Sequence, residues 1–176
     1  ALGLRFGVSK TGCSGWQHLA DLARDERAGD TVFESDGVKV YVDAVINHMT
    51  GQGDTSYGGV TYQRYTYDGL YGPWNFHKYS GDCPSKSGGI EDFNNQQQVF
   101  NCELVGLADL RTDTNAVRGR VAAYLNKLIG YGVSGFRVDA AKHVGQTDLD
   151  AIYARLHRTK DGTRPYWALE VFGGGP

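Results

Sequence analysis

The order of regular elements constrains this chain more than any single motif. Residues 38–48 form a nearly continuous β-branched and apolar run, as expected of a strand buried on both faces. After a long excursion, Val117, Val121, Tyr124, Leu125, Leu128 and Ile129 recur at spacings of three and four. That spacing predicts an amphipathic helix, opened by Thr112-Asp113-Thr114 and closed by Gly130 and Gly132. A second apolar run ends at Asp139, and Leu149, Ile152, Tyr153 and Leu156 make another helical stripe behind a capping-box-like Thr147-Asp148-Leu149-Asp150. Residues 166–172 read as a third strand. Strands alternating with helices predict a parallel sheet with crossover connections.

Each strand places polar groups at or near its C-terminal end: Asn47 and His48, then Asp139 and His143, then Glu170. In a (β/α)8 barrel that end is the catalytic face. A doubly wound sheet would gather residues there too, but gives no reason for two isolated carboxylates on neighbouring strands. Arg137 lies two residues before Asp139, so both side chains point to one face. An Asp held ionised beside an Arg serves as nucleophile, ion-pair partner or metal ligand. The plain alternative is a structural salt bridge at a strand end. No Gly-rich phosphate loop follows any strand, which disfavours nucleotide chemistry.

Composition narrows the classes further. The 176 residues are one domain's worth, and 40% hydrophobic residues suffice for a core. A net charge of -2 with scattered Lys and Arg gives no electrostatic case for nucleic acid or an anionic membrane. No run of about 18 apolar residues predicts a transmembrane helix. Residues 1–10 lack the apolar core of a signal peptide. Residues 1–36 carry no readable chemistry; 7–15 reads as loop and 19–30 as a weakly periodic surface helix. Residues 49–107 are rich in Gly, Tyr, Ser and Asn and predict a small irregular subdomain, since structureless connections this long are uncommon unless functional. Its aromatics, Tyr57, Tyr62, Tyr65, Tyr67, Tyr71 and Trp74, fit a subdomain core better than a sugar-stacking platform. Cys83 and Cys102 both lie in it, either bridged or as buried thiols, and Cys13 is left over.

Four short signatures occur in order: Asp43-Ala-Val-Ile-Asn47-His48, Gly106-Leu-Ala-Asp109-Leu110, Gly135-Phe-Arg-Val-Asp139-Ala-Ala-Lys142-His143, and Glu170-Val171. Together they resemble the α-amylases of glycoside hydrolase family thirteen, the actinobacterial and animal type most of all. The resemblance covers residues 37–174. It implies part of a (β/α)8 TIM barrel, about strands three to five, with an inserted irregular β-rich domain B. The implied division is a poorly matched stretch at 1–36, barrel strand three at 37–48, domain B at 49–107, and strands four and five with their helices at 108–176.

By the same resemblance, Asp139 is the nucleophile and Glu170 the general acid/base. Arg137 keeps Asp139 ionised and binds chloride in chloride-dependent relatives. His48, Arg137, Lys142 and His143 contact substrate, and Asp43 is a structural carboxylate beneath the site. Asn47, Asp109 and the carbonyls of Phe100 and His143 match ligands of a structural Ca²⁺, and Cys83 pairs with Cys102. Retaining cleavage needs one ionised and one protonated carboxyl about 5–5.5 Å apart. Arg137 is expected to push the Asp139 pKa down, while Leu169, Val171 and Phe172 are expected to push that of Glu170 up.

The implied function is retaining endo-hydrolysis of α-1,4-glucosidic bonds in starch by a secreted, monomeric enzyme whose signal peptide is outside this segment. The family's third essential carboxylate and remaining strands are likewise expected outside it, which makes the chain an internal fragment, inactive alone. The alternatives are a non-catalytic carbohydrate-binding remnant of the same fold and another family member such as a glucanotransferase.

Overall fold

The structure, a computed structural model, describes residues 3–11, 15–25, 39–56 and 58–173. It divides into two units, 1–38 and 39–176. In the first, β1 (Gly3–Thr11) and β2 (Gly15–Ala23) pair antiparallel with Gly3 opposite Ala23. This corrects the expected loop at 7–15 and the helix expected from residue 19: the weak periodicity there lost to strand pairing. Cys13 lies outside the described residues.

The second unit is built on a three-stranded parallel sheet. β3 (Tyr41–Ala44) is the first strand, followed in the chain by β4 (His48–Met49), β5 (Asp54–Thr55) and β6 (Thr61–Tyr62). A one-turn helix α1 (His77–Ser80), α2 (Gln96–Asn101), β7 (Ala108–Asp109) and the long α3 (Asn115–Gly130) come next. β8 (Gly135–Val138), α4 (Gln146–Ala154) and β9 (Tyr166–Leu169) complete it. The sheet order is β3-β8-β9, with Asp43 opposite Arg137 and Arg137 opposite Ala168.

The run at 38–48 is not one strand. β3 stops at Ala44, and His48 and Met49 leave the parallel sheet to pair antiparallel with Asp109 and Ala108. Val45 is exposed at the break, so the apolar run is not buried throughout. Similarly, β9 ends at Leu169, leaving Glu170 just past it.

Helix α3 turns Val117, Val121, Ala122, Leu125 and Ile129 into the core, and the Thr114 hydroxyl accepts from the Val117 N–H at 3.4 Å as its N-cap. Gly132, at φ 106, takes the left-handed turn behind it. α4 starts two residues earlier than the capping-box reading, behind Gly145 and without a side-chain cap. Asp148 instead joins the two helices by accepting from Arg118 Nη1 at 2.7 Å.

Residues between β4 and β7 form short strands, bridges and single turns around aromatic contacts. Tyr67, Tyr71 and Phe76 are buried in the same core as Ala44, Leu110 and Val138, and Phe76 bridges to Leu110. Trp74 departs from the expected core role, with 74% of its surface exposed. Tyr57 lies outside the described residues. Cys83 and Cys102 form a disulfide, with Cα atoms 4.9 Å apart.

Gly135 opens β8 where two strands crowd it: a Cβ there would meet the Tyr166 Cβ and carbonyl at 2.6 Å and the Tyr41 ring at 2.8 Å. Gly135→Ala is expected to cost about 1–3 kcal/mol, the usual scale of overpacking, read as a lowered denaturant midpoint with unchanged slope. The disulfide closes a loop with a sequence separation of 19. Cys102→Ala should lower stability by roughly 3 kcal/mol in the chain-entropy model, and non-reducing peptide mapping of the native protein should recover Cys83 linked to Cys102.

Candidate active site

Three carboxylates from three strand ends meet on one guanidinium. Register sets this up: parallel pairing puts Asp43 beside Arg137, and the Asp139 N–H to Ala44 carbonyl (3.1 Å) and Glu170 N–H to Val138 carbonyl (3.0 Å) bonds carry the pattern past the strands. Arg137 Nη1 donates to Asp43 Oδ1 at 2.6 Å and to Asp139 Oδ1 at 3.2 Å, and Nη2 donates to Glu170 Oε1. Glu170 Oε2 accepts from the Ala140 N–H at 3.0 Å. Ala140 sits at φ 47, a left-handed conformation that costs a non-glycine residue roughly 1–2 kcal/mol and aims this amide at the carboxylate.

The charge distribution reverses the sequence expectation. The Glu170 pKa is lowered, first by the Ala140 N–H and then by Arg137. The apolar residues expected to raise it do not enclose it, because Leu169, Val171 and Phe172 are exposed. The Asp139 pKa is raised, chiefly by burial, with the negative charges of Glu170 and Asp43 adding to it against the opposing Arg137 bond. The two carboxyls hydrogen-bond each other, an interaction that adds to the upward shift of Asp139 and to the downward shift of Glu170. A cavity of about 290 Å³ opens on them, lined also by His48, Lys142 and His143 and by Leu104, Leu107 and Phe172.

His48 and His143 are buried and meet edge to face, with ring centroids 5.4 Å apart. Burial and the neighbouring His143 push the His48 pKa down to about 4, so its ring is neutral near pH 7. The His143 pKa is also lowered by burial, and its Nδ1–H donates to the Val99 carbonyl at 3.0 Å.

Behind this cavity lies a second polar group. Asp109 is 1% exposed, and burial raises its pKa to about 6 against the opposing bonds of His77 and Asn47. The Asn47 amide donates to Asp109 Oδ1 at 2.7 Å and to the His143 carbonyl at 3.3 Å, while Asn47 Oδ1 is buried with no partner. Turning that amide over would aim three oxygens at one point with no donor between them. Such a set suits a hard cation, so Asn47, Asp109 and the His143 carbonyl fit Ca²⁺ chemically. Phe100 neighbours the group through Val99, whose carbonyl holds His143.

Sequence reasoning missed His77, whose Nδ1–H donates to Asp109 Oδ2 at 2.5 Å. A lone His inside an irregular insertion gives no periodic or motif signal. It also missed the apolar lining from Leu104, Leu107 and Phe172.

Comparisons with known proteins match these features to one family. The model "Alpha amylase, catalytic domain" matches residues 31–164. An α-amylase of Thermomonospora curvata is 49% identical over 142 residues, covering 77% of this chain and 22% of the relative. The pancreatic α-amylase of Sus scrofa is 44% identical over 147 residues, covering 77% of this chain and 28% of its own length. The structure of a mutant α-amylase I of Eisenia fetida, complexed with maltohexaose, superposes with a TM-score of 0.75 at 43% identity, covering 79% of this chain and 30% of that one. The chain thus spans less than a third of the relatives it matches. Its fold is part of the (β/α)8 barrel with an inserted irregular segment. With the sheet, the strand-end residues and the catalytic-domain match all in agreement, the chain belongs to the α-amylase family.

Proposed function

We propose that this chain supplies the nucleophile and the general acid/base of a retaining α-amylase that cleaves internal α-1,4-glucosidic bonds of starch. The observation that carries the reading is the convergence of Asp139 and Glu170 on Arg137, at the ends of adjacent parallel strands and open to a cavity. Maltohexaose bound to the Eisenia fetida relative supports an α-glucan as the substrate class.

Asp139 attacks the anomeric carbon while Glu170 protonates the leaving oxygen. Glu170 then takes a proton from water, which opens the glycosyl ester, and two inversions give retention. The resting arrangement shifts both pKa values away from these roles, Asp139 up and Glu170 down, so entry of a sugar has work to do. Parting the carboxyls toward about 5–5.5 Å draws Glu170 off Arg137 and the Ala140 N–H. Arg137 is then left to Asp43 and Asp139, which lowers the pKa of Asp139, while Glu170 loses its donors and its pKa rises toward that of a general acid. Neutral His48, with Lys142 and His143, offers polar contacts to sugar hydroxyls along the cavity wall.

Asn47, Asp109 and the carbonyls of His143 and Phe100 would hold Ca²⁺, which ties the insertion to the sheet. Chloride at Arg137 would have to compete with the three carboxylates that its Nη atoms already meet. The disulfide supports a secreted protein, since such bridges persist in oxidising compartments. The Glu170 contact with Arg137 favours a second reading for these 176 residues taken alone, as a closed, non-catalytic pairing that hydrolyses no starch.

In the intact enzyme, NMR of the first product should show the α anomer at the new reducing end; a β anomer would exclude Asp139 as a covalent nucleophile. Glu170→Gln should lower kcat by about 10²–10⁴-fold and Asp139→Asn by at least as much, with starch binding largely kept. For the cation, a chelator should lower the melting temperature of the wild type, because an ion bound only by the folded state stabilises by mass action. Asp109→Ala should abolish that sensitivity, and a wild-type melt indifferent to chelator would remove the calcium assignment.

A further inference from the structure

We propose that His77, Asp113 and Asp82 form a second metal site, separate from the Asn47–Asp109 group, and that it takes Zn²⁺. It does not depend on the glycosidase reading. His77 begins α1 and is only 3% exposed, yet it contributes nothing to the cavity at Asp139 and Glu170. Its Nδ1–H is committed to Asp109 Oδ2 at 2.5 Å, which fixes the ring and directs Nε2 the other way. A carboxylate behind an imidazole in this manner is the arrangement that orients and strengthens metal-bound histidines. Nε2 makes no hydrogen bond among the described residues, and Asp113 Oδ1 stands 3.5 Å from it.

Arg111 holds the two carboxylates side by side. Arg111 Nη2 reaches Oδ2 of Asp113 at 3.4 Å and Oδ2 of Asp82 at 3.7 Å, leaving the other oxygen of each available. One ligand atom from each of His77, Asp82 and Asp113 lies within 4.8 Å of the other two. Zinc bonds of about 2.0–2.1 Å in a tetrahedron put neighbouring ligand atoms roughly 3.3–3.4 Å apart. The His77–Asp113 pair is already near that spacing at 3.5 Å. Asp82 is part-exposed, with 44% of its side chain accessible, and closes the remaining gap by side-chain rotation. A cavity of about 310 Å³ lined by His77, Phe100, Thr112 and Asp113 gives water access to a fourth position. One imidazole and two carboxylates suit zinc, whereas calcium takes six to eight oxygens and magnesium keeps most of its waters.

The test is calorimetric titration of Zn²⁺ into calcium-saturated protein. One equivalent should bind, and Asp113→Asn and Asp82→Asn should each weaken it about 10-fold or more. Co²⁺ in place of Zn²⁺ should give the intense visible bands of a four-coordinate site, lost in Asp113→Asn. His77→Gln should abolish binding; because His77 is buried, the two exposed variants decide the matter if His77→Gln fails to fold. Absence of Zn²⁺ binding, an affinity unchanged in both Asp variants, or Zn²⁺ uptake only by displacing calcium would each overturn the proposal.

Discussion

Arg137 is the contact on which the site depends. Its guanidinium gathers Asp43 from β3, Asp139 from the end of β8 and Glu170 from beyond β9, so one fixed cation spans all three strands of the parallel sheet. Three carboxylates at one place repel, and a single guanidinium cannot neutralise them all. The competition raises the pKa of Asp139 and lowers that of Glu170, and geometry decides which goes which way. Glu170 has two donors, Arg137 Nη2 and the Ala140 N–H, while Asp139 shares Nη1 with Asp43. Asp139 is accordingly the weaker acid of the two. The ranking thus depends on which oxygens meet the guanidinium and on the Ala140 N–H, all of them side-chain contacts of Glu170 and Asp139. The pair titrates as a unit, and its pKa values belong to the pair and not to either residue.

What was legible in the sequence follows from what periodicity and residue order encode. Strand and helix alternation gave the parallel sheet, and the buried face of α3 matches its spaced apolar residues at Val117, Val121, Leu125 and Ile129. Arg137 and Asp139 do share a face, as their two-residue spacing requires. The break after Ala44 was not legible, because an apolar run reads the same whether one strand continues or the chain changes partners; only the pairing of His48 with Asp109, far away in sequence, ends it. The hairpin β1–β2 was hidden for a similar reason, since strand pairing overrides weak local preference. The expected pKa directions of Asp139 and Glu170 failed most instructively. Flanking Leu169, Val171 and Phe172 suggested an apolar pocket for Glu170, but all three are exposed, and the amide of Ala140 arrives from another loop.

The insertion raises a separate question, which is how a segment with little regular structure is held to the sheet. Its aromatic side chains share the core through Tyr67, Tyr71 and Phe76, but apolar contact is non-directional and fixes no register. Asp109 supplies the direction. It enters at β7, the end of the insertion, and its two oxygens are divided between Asn47 at the insertion's start and His77 in its middle. A carboxylate with 1% exposure cannot trade these partners for water, so loss of any one leaves a buried charge uncompensated. That is why its pKa rises only to about 6 despite the burial, with the bonds from His77 and Asn47 opposing the shift. The same residue thus closes the insertion, positions the His143 carbonyl through Asn47, and holds the His77 ring by its other oxygen. The irregular segment needs little secondary structure of its own, because its start, middle and end are each bonded to, or part of, one buried group.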